Sequence, residues 1–504
     1  MKINLAKNEQ RILLFSVFIL SLCGIIYELV LGSLASYLLG NPVMQYSITI
    51  GVFLSSMGLG SYVSRYIEKN LLKAFVRIEI LLGLIGGVSV VILNYLFSFS
   101  ESFYALHIFF LVVIGTLVGL EIPLLTRILK NYGALKDIIS NVLSFDYIGG
   151  LAGSLFFPLL LFPFLGRFLT SIVVGMANIT VAFIIILVID YGSKKKDFLL
   201  ASVSMMILLF MAVNSDWLNA IIQKKMFYDD IVFTERTKYQ EIVLTRSGDD
   251  FRLYLDGSLQ FSSSDEYRYH EMLVHPAMSV HGNPRSVLVL GGGDGLAVRE
   301  ILKVPSVKTV VLVELDASMI SLAMNNSTIS YINKGSLKNS KVHVITGDAY
   351  DFLRTNTFGY DIIIADFPDP HDETVSKLYT IEFFKLVKRS LSMDGVFITQ
   401  STSPLFAREA FWCINLTMKQ VFNNVIPYHL FIPSFGDWGY NMACGNDLVI
   451  KDSVIDGLKY FNKSTFTAAE NFPPDSGEIT TEINTFNKPV LYKYYLRGWK
   501  NSDY

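Results

Sequence analysis

Seven apolar stretches follow one another in the first 215 residues of this chain, near 12 to 38, 43 to 64, 75 to 97, 103 to 126, 143 to 165, 168 to 190 and 198 to 214. Each approaches the roughly 20 residues that span the hydrocarbon of a bilayer, so this half is constrained to a bundle of crossing helices. The first stretch runs on to about residue 39 and another follows at once, which speaks for anchoring and against a cleaved signal peptide. Glycines in GVFLSSMGLGS and IGGLAGS suit close helix packing in lipid. Residues 1–215 are therefore expected to form a multi-pass helical domain in a lipid bilayer, the cell membrane.

Basic residues gather before the first stretch (Lys2, Lys7, Arg11), after the second (Arg65, Lys69, Lys73), after the fourth (Arg127, Lys130, Lys136) and after the sixth (Lys194, Lys195, Lys196). The positive-inside rule makes all of these cytoplasmic. Seven crossings would then send the second half of the chain outside, whereas the chemistry argued below draws on a cytosolic co-substrate. We take the second half as cytoplasmic and leave the crossing number open between six and eight. Glu28 and Glu121 fall inside apolar stretches, where a carboxylate is costly enough to suggest a function, and a polycation could use them. The plainer alternative is that each pairs with a polar neighbour. Glu79 and Asp146 lie nearer segment ends and call for less explanation.

Composition bears on partners. A hydrophobic share of 52% with 17% charged residues fits a lipid-embedded part joined to a water-facing one. A net charge of -2 lacks the basic surplus of a nucleic-acid binder, so no nucleic acid is expected. Three cysteines, Cys23, Cys413 and Cys444, make no disulfide framework and point to a reducing compartment. The histidines show no metal-ligand spacing, so no metal is expected, and His275 reads as structural.

Beyond residue 215 the pattern changes. EIVLTRS and FRLYLDG alternate around a GDD turn as a hairpin, assigned to a small subdomain at 226–262. A helical stretch, DEYRYHEMLVHPAMSV, leads into SVLVLGGG, and VKTVVLVELD, KVHVITGDA, YDIIIADFPDP and GVFITQ then read as buried strands alternating with helices. That alternation predicts a parallel, doubly wound, Rossmann-like sheet at 263–450, with an extension at 451–504.

The strand SVLVL runs into Gly291, Gly292, Gly293, Asp294 and Gly295, a turn that lets a ligand approach backbone N–H groups at a helix start. Glu314 follows about 20 residues on at the next strand end, where an acid bonds ribose hydroxyls, and Asp348 ends a third strand. An adenosyl site is the best reading, although spacing alone does not separate a nicotinamide dinucleotide from S-adenosylmethionine. Asp294 favours decarboxylated S-adenosylmethionine, which presents an ammonium where the intact molecule also carries a carboxylate. The alternative is that Asp294 caps the following helix. Asp366 and Asp369 end the fourth strand, where a carboxylate can hold a protonated amine and accept its proton; we assign that base role to Asp366 and substrate positioning to Asp369. A turn cap is again the plainer alternative.

Taken in order, Gln240 in YQEIVL, LDGSLQ, DEYRYHEML with Tyr269 and His270, GGGDG, VELD, GDA, DFPDP, KLYT with Tyr379, and FITQ resemble the spermidine synthases over about residues 230 to 450. The membrane half resembles that of membrane-bound bacterial members. The resemblance implies that Gln240, Tyr269, His270, Asp294, Glu314 and Asp348 line the aminopropyl-donor site and that Asp366 is the proton acceptor. It also implies that Tyr269, His270 and Asp369 approach the amine, putrescine or another diamine, in a homodimer or homotetramer. Decarboxylated S-adenosylmethionine would be a co-substrate, with no prosthetic group. The chain departs from the family at Leu296, at Phe367 and Pro368, and at Phe435, where many members carry a tyrosine that contacts the acceptor. Two rivals remain: a polyamine transporter or sensor with a regulatory adenosyl domain, and a membrane-associated methyltransferase. Neither needs both Asp294 and Asp366.

Overall fold

The computed structural model describes residues 6–39, 42–97, 103–130, 132–215, 217–219, 221, 227–445, 450 and 455–501. Lys2 and the expected boundaries at 226 and 451 lie outside the described residues. The chain divides into two compact units, Met1–Tyr228 and Asp229–Tyr504.

The first unit is helical: α1 (Lys7–Leu39), α2 (Pro42–Val63), α3 (Leu71–Phe97), α4 (Phe103–Leu129), α5 (Leu135–Phe156), α6 (Phe162–Val188) and α7 (Lys195–Val213). Among the described residues, six helical stretches are long and apolar enough to cross a bilayer. The fifth, Leu135–Val188, contains both α5 and α6 and folds back on itself. Gly149 and Gly153 of α5 lie against Phe18 and Leu22, so α5 runs parallel to α1. Arg167 and Val174 of α6 meet Ser33 and Cys23, so α6 runs the other way. The chain reverses at Gly166, whose φ of 65° suits a residue without Cβ. The expected stretches 143–165 and 168–190 are thus the two arms of this fold.

Other close approaches give the remaining directions. Gly83 and Gly87 of α3 meet Gly175 and Ser171 of α6, antiparallel, while Arg77 and Gly87 meet Asp197 and Leu208 of α7, parallel. Phe53 and Met57 of α2 lie against Gly115 and Gly119 of α4, parallel, and Arg127 at the end of α4 bonds the carbonyls of Ser64 and Ile67 just before α3. Successive helices therefore alternate. The basic loops share the face on which α1 begins, and α7 leaves the bundle on the other.

The second unit opens with an antiparallel sheet in the order β1-β2-β3-β4: β1 (Asp230–Arg236), β2 (Glu241–Ser247), β3 (Asp250–Leu255) and β4 (Ser258–Ser262). The expected hairpin is its centre, β2 and β3. A seven-stranded sheet follows in the order β10-β11-β9-β8-β5-β6-β7. Its strands are β5 (Ser286–Gly291), β6 (Thr309–Glu314), β7 (Val342–Thr346), β8 (Tyr360–Asp366), β9 (Leu391–Gln400), β10 (Asn424–Ile432) and β11 (Gly436–Cys444). β5 to β9 are parallel, and Val287 to Leu290 of the central strand are fully buried, which is why they read as an unbroken apolar run. The sheet is mixed, not wholly parallel as expected: β10 and β11 pair antiparallel and β11 joins β9. A short turn joins them, so no crossover helix announces them in the sequence. From β5 the chain builds outward through β6 and β7, then returns to place β8 and β9 on the other side. The strand order reverses between β5 and β8, and their carboxyl ends mark the crevice position that ligands usually take in such sheets.

Candidate active site

Two glycines shape that crevice. Gly291 and Gly292 have φ of 77° and 66°, and a Cβ on them would fall 2.2 Å from the Asp366 carbonyl oxygen and 2.9 Å from an Asp366 carboxylate oxygen. The turn can lie on the end of β8 only because these side chains are absent. Parallel register sets Gly291 opposite Asp366 and Glu314 opposite Thr346, so both acids stand at one edge.

Glu314 accepts the N–H groups of Gly293 at 3.1 Å and Asp316 at 2.9 Å. Burial foremost, with the charges of Asp316 and Asp294, raises its pKa to about 7. Asp316 in turn accepts Gln240 Nε2 at 3.0 Å and Thr237 Oγ1 at 2.8 Å, which brings the β1–β2 turn to the end of β6. Asp294 accepts the Leu296 N–H at 2.8 Å from the position before the N-cap, which is Gly295 and has no side-chain cap bond. It also lies within electrostatic reach of His270 and Asp366, and burial raises its pKa.

The helix α8 (Glu266–His281) contributes Tyr269 and His270. Tyr269 Oη donates to Asp366 Oδ1 at 2.6 Å. Burial, then the charge of Asp294, raises Asp366 to about 6, opposed by His270 and the Tyr269 bond. Burial disfavours a charged His270, yet its bond to Glu266 at 2.9 Å, with the charges of Glu266, Asp294 and Asp366, holds its pKa above the ordinary value. Arg299 grips Glu266 with both terminal nitrogens, at 2.9 and 2.8 Å, and fixes that pair.

Asp369, also raised to about 6 by burial, sits among Gln400 Nε2 at 3.4 Å, Thr402 Oγ1 at 3.3 Å and the Tyr495 hydroxyl. Gln400 also donates to Tyr379 Oη and to the Phe367 carbonyl. Tyr495 lies on the C-terminal helix Leu491–Asn501, within the segment set apart as an extension, and nothing local in YKYYLRGW marks it for a site. Asp316 and Gln400 close VELD and FITQ, but nothing local in those runs or around Thr402 marks these three side chains for a site. Phe435 lies edge-on to Tyr269, its ring centroid 6.1 Å away, and supplies no hydroxyl. Asp348 follows Gly347, whose N–H bonds the Glu314 carbonyl at 2.9 Å; its Oδ1 caps the helix Ala349–Thr355 and its Oδ2 pairs with Lys377 at 3.0 Å. His275 is structural, its Nε2 2.9 Å from Glu300 in the core. Among the described residues no group of three or more potential metal ligands occurs.

One edge therefore carries a glycine turn flanked by Glu314 and Asp294 and, beyond it, two half-buried carboxylates beside phenols, groups able to accept hydrogen bonds and a positive charge. The Spermine/spermidine synthase domain family matches residues 266–452. A "Polyamine aminopropyltransferase" of Leptospira interrogans is 43% identical, covering 97% of this chain and 99% of the relative. That of Oceanobacillus iheyensis is 38% identical, covering 98% and 99%. A solved spermidine synthase in complex with the transition-state analogue AdoDATO is 28% identical with a TM-score of 0.46, covering 48% of this chain and 86% of that one. With a relative this similar over nearly the full length of both chains, membrane half included, the chain belongs to the polyamine aminopropyltransferase family.

Proposed function

We propose that the enzyme moves the aminopropyl group of decarboxylated S-adenosylmethionine to putrescine, forming spermidine and methylthioadenosine. The observation that carries this reading is the run of Asp294, Asp366 and Asp369 along one sheet edge, with Glu314 on the nucleotide side. Asp294 offers a carboxylate to the donor's ammonium, and Glu314, Gln240 and Asp348 serve the adenine and ribose side. Asp369, ringed by Tyr495, Thr402 and Gln400, holds one ammonium of the diamine. The other nitrogen, near Asp366, Tyr269 and His270, gives up a proton to Asp366. Its lone pair forms a bond to the aminopropyl carbon beside sulfur as the C–S bond breaks. The C–S electron pair goes to sulfur, which leaves as a neutral thioether. Positioning of the two reactants supplies much of the rate, because the displacement needs them in line.

Mass spectrometry of products from the purified full chain, given either adenosyl donor and a panel of diamines, tests this. Spermidine with methylthioadenosine is the expected pair. A methylated amine from the intact donor would replace the reading with a methyltransferase.

We assign the catalytic unit to the cytoplasmic side, where the donor is made. With seven alternating helices, that assignment sets the basic loops outside, against the positive-inside rule. Reporter fusions after residue 215 decide it: cytoplasmic fluorescence is expected, and periplasmic phosphatase activity would reverse the orientation.

A further inference from the structure

The helical unit holds a second group of buried acids. Glu79 of α3 and Glu121 of α4 are 0% and 4% exposed, and their carboxyl groups lie within hydrogen-bonding reach of one another. Glu79 is thus not a segment-end residue that needs little explanation, because helix packing buries it completely. Neither of its oxygens receives a donor, nor does Glu121 Oε1, and no lysine, arginine or histidine among the described residues pairs with either acid. Glu28, buried on α1, is not part of this pair.

Unsatisfied polar groups surround the pair. Asn178 of α6 is 0% exposed and both its amide atoms lack partners. Its Cβ is 3.3 Å from where a Gly83 Cβ would be, and Gly83 lies one turn from Glu79 on the same face of α3. Tyr27 of α1 is 1% exposed with an unpartnered hydroxyl and lies within electrostatic reach of both acids. Its ring covers Gly86, where a Cβ would come within 2.4 Å, so the glycine is what admits the phenol. Asp146 on α5 also lies within reach of Glu121.

Two carboxylates this close and this buried do not both ionise without a cation. The group offers carboxylate, amide and phenol oxygens from four helices, which suits a donor of three hydrogen bonds carrying a positive charge. It is not one of the sets of three or more acidic, histidine or cysteine ligands that would hold a metal, of which the described residues contain none.

We propose that Glu79, Glu121, Asn178 and Tyr27 form a seat inside the helical unit for an alkylammonium group of a polyamine. The proposal rests on the family's amine chemistry and not on which diamine is the acceptor. Equilibrium dialysis of labelled putrescine against the full chain in lipid nanodiscs, beside the methylthioadenosine assay, tests it. The wild type is expected to bind two equivalents, and the Glu79→Gln/Glu121→Gln double variant one, with unchanged methylthioadenosine formation. Should the double variant not fold, Tyr27→Phe is expected to weaken the second equivalent by about threefold to tenfold, the effect of one lost hydrogen bond. A single equivalent in the wild type would overturn the seat and leave a proton shared between the two acids. So would two equivalents in the double variant, or unaltered binding in Tyr27→Phe. Two equivalents with no methylthioadenosine from any diamine would instead sink the reaction assigned above and leave the seat standing.

Discussion

Both units bury carboxylates, and they differ in how far those acids are paired. In the catalytic unit, Glu271 accepts three backbone N–H groups, from Lys459, Tyr460 and Phe461. Glu266 is held by Arg299 and His270, and Glu300 by Arg299, His275 and Lys303. In the helical unit Asp197 is likewise paired, with Arg77 at 2.7 Å, but Glu79 has no donor on either oxygen. Asp366 and Asp369 fall between, each half-buried and bonded to hydroxyl or amide groups but in no ion pair among the described residues, and both raised to about 6. The lesson is that the partner count of a buried acid separates structural from working carboxylates: a satisfied one stabilises the fold, and an unsatisfied one is held ready for a ligand or a proton.

The sharpest way to break this comparison is Asp366→Asn. Turnover should fall by about a hundredfold to ten-thousandfold, the scale of a lost general base. Donor affinity by calorimetry and melting temperature should hardly move. In the wild type, kcat/KM should decline as pH falls through about 6, because Asp366 and Asp369 lose their basic form below their raised pKa values. A wild-type rate in the variant would remove Asp366 from the mechanism.

Glu266→Gln tests the other class. The change leaves His270 without its acid and Arg299 with Glu300 alone, at a cost of up to about 3–5 kcal/mol, so denaturant melts should show a loss of stability. A variant as stable as the wild type would mean that partner count says little about stability here.

Next comes donor choice. Decarboxylated S-adenosylmethionine should bind roughly ten- to a hundredfold more tightly than the intact form, since a carboxylate facing Asp294 forfeits a charge-assisted bond of about 1.5–3 kcal/mol. Equal affinities by calorimetry would leave Asp294 as a partner of the Leu296 N–H alone.

A smaller effect is expected at Tyr495→Phe, which removes one hydroxyl from Asp369. KM for the diamine should rise by about threefold to tenfold with kcat little changed, the scale of one hydrogen bond. A change confined to kcat would move Tyr495 from positioning the acceptor to the reacting nitrogen.

The smallest change is expected from removing the helical unit. A chain beginning near residue 222 should fold and form methylthioadenosine at close to the full-length rate, because every site residue named lies in the second unit. A truncated chain that is folded by circular dichroism yet inactive would make the two units one catalytic machine.

Much of this was legible along the chain. Each apolar stretch is a local property, and so is the glycine turn, whose positive φ at Gly291, Gly292 and Gly295 only glycine adopts freely. Strand ends carrying Glu314, Asp348 and Asp366 could be read because a parallel sheet lines up its carboxyl ends. Even the Glu266–His270 pair follows from four-residue spacing on a helix. Tertiary structure alone decided which distant residues meet. Glu79 finds Glu121 because α3 and α4 pack in one register, and Tyr495 reaches Asp369 from 126 positions away because the C-terminal helix docks there. Asp348 stands at the strand end where the sequence places it, while its contacts to Lys377 and to its own helix are known only from the packing. Backbone conformation and hydrophobic period are written over a few residues at a time, whereas a side chain's partners depend on how whole elements pack, and a single chain read in order carries no record of that packing.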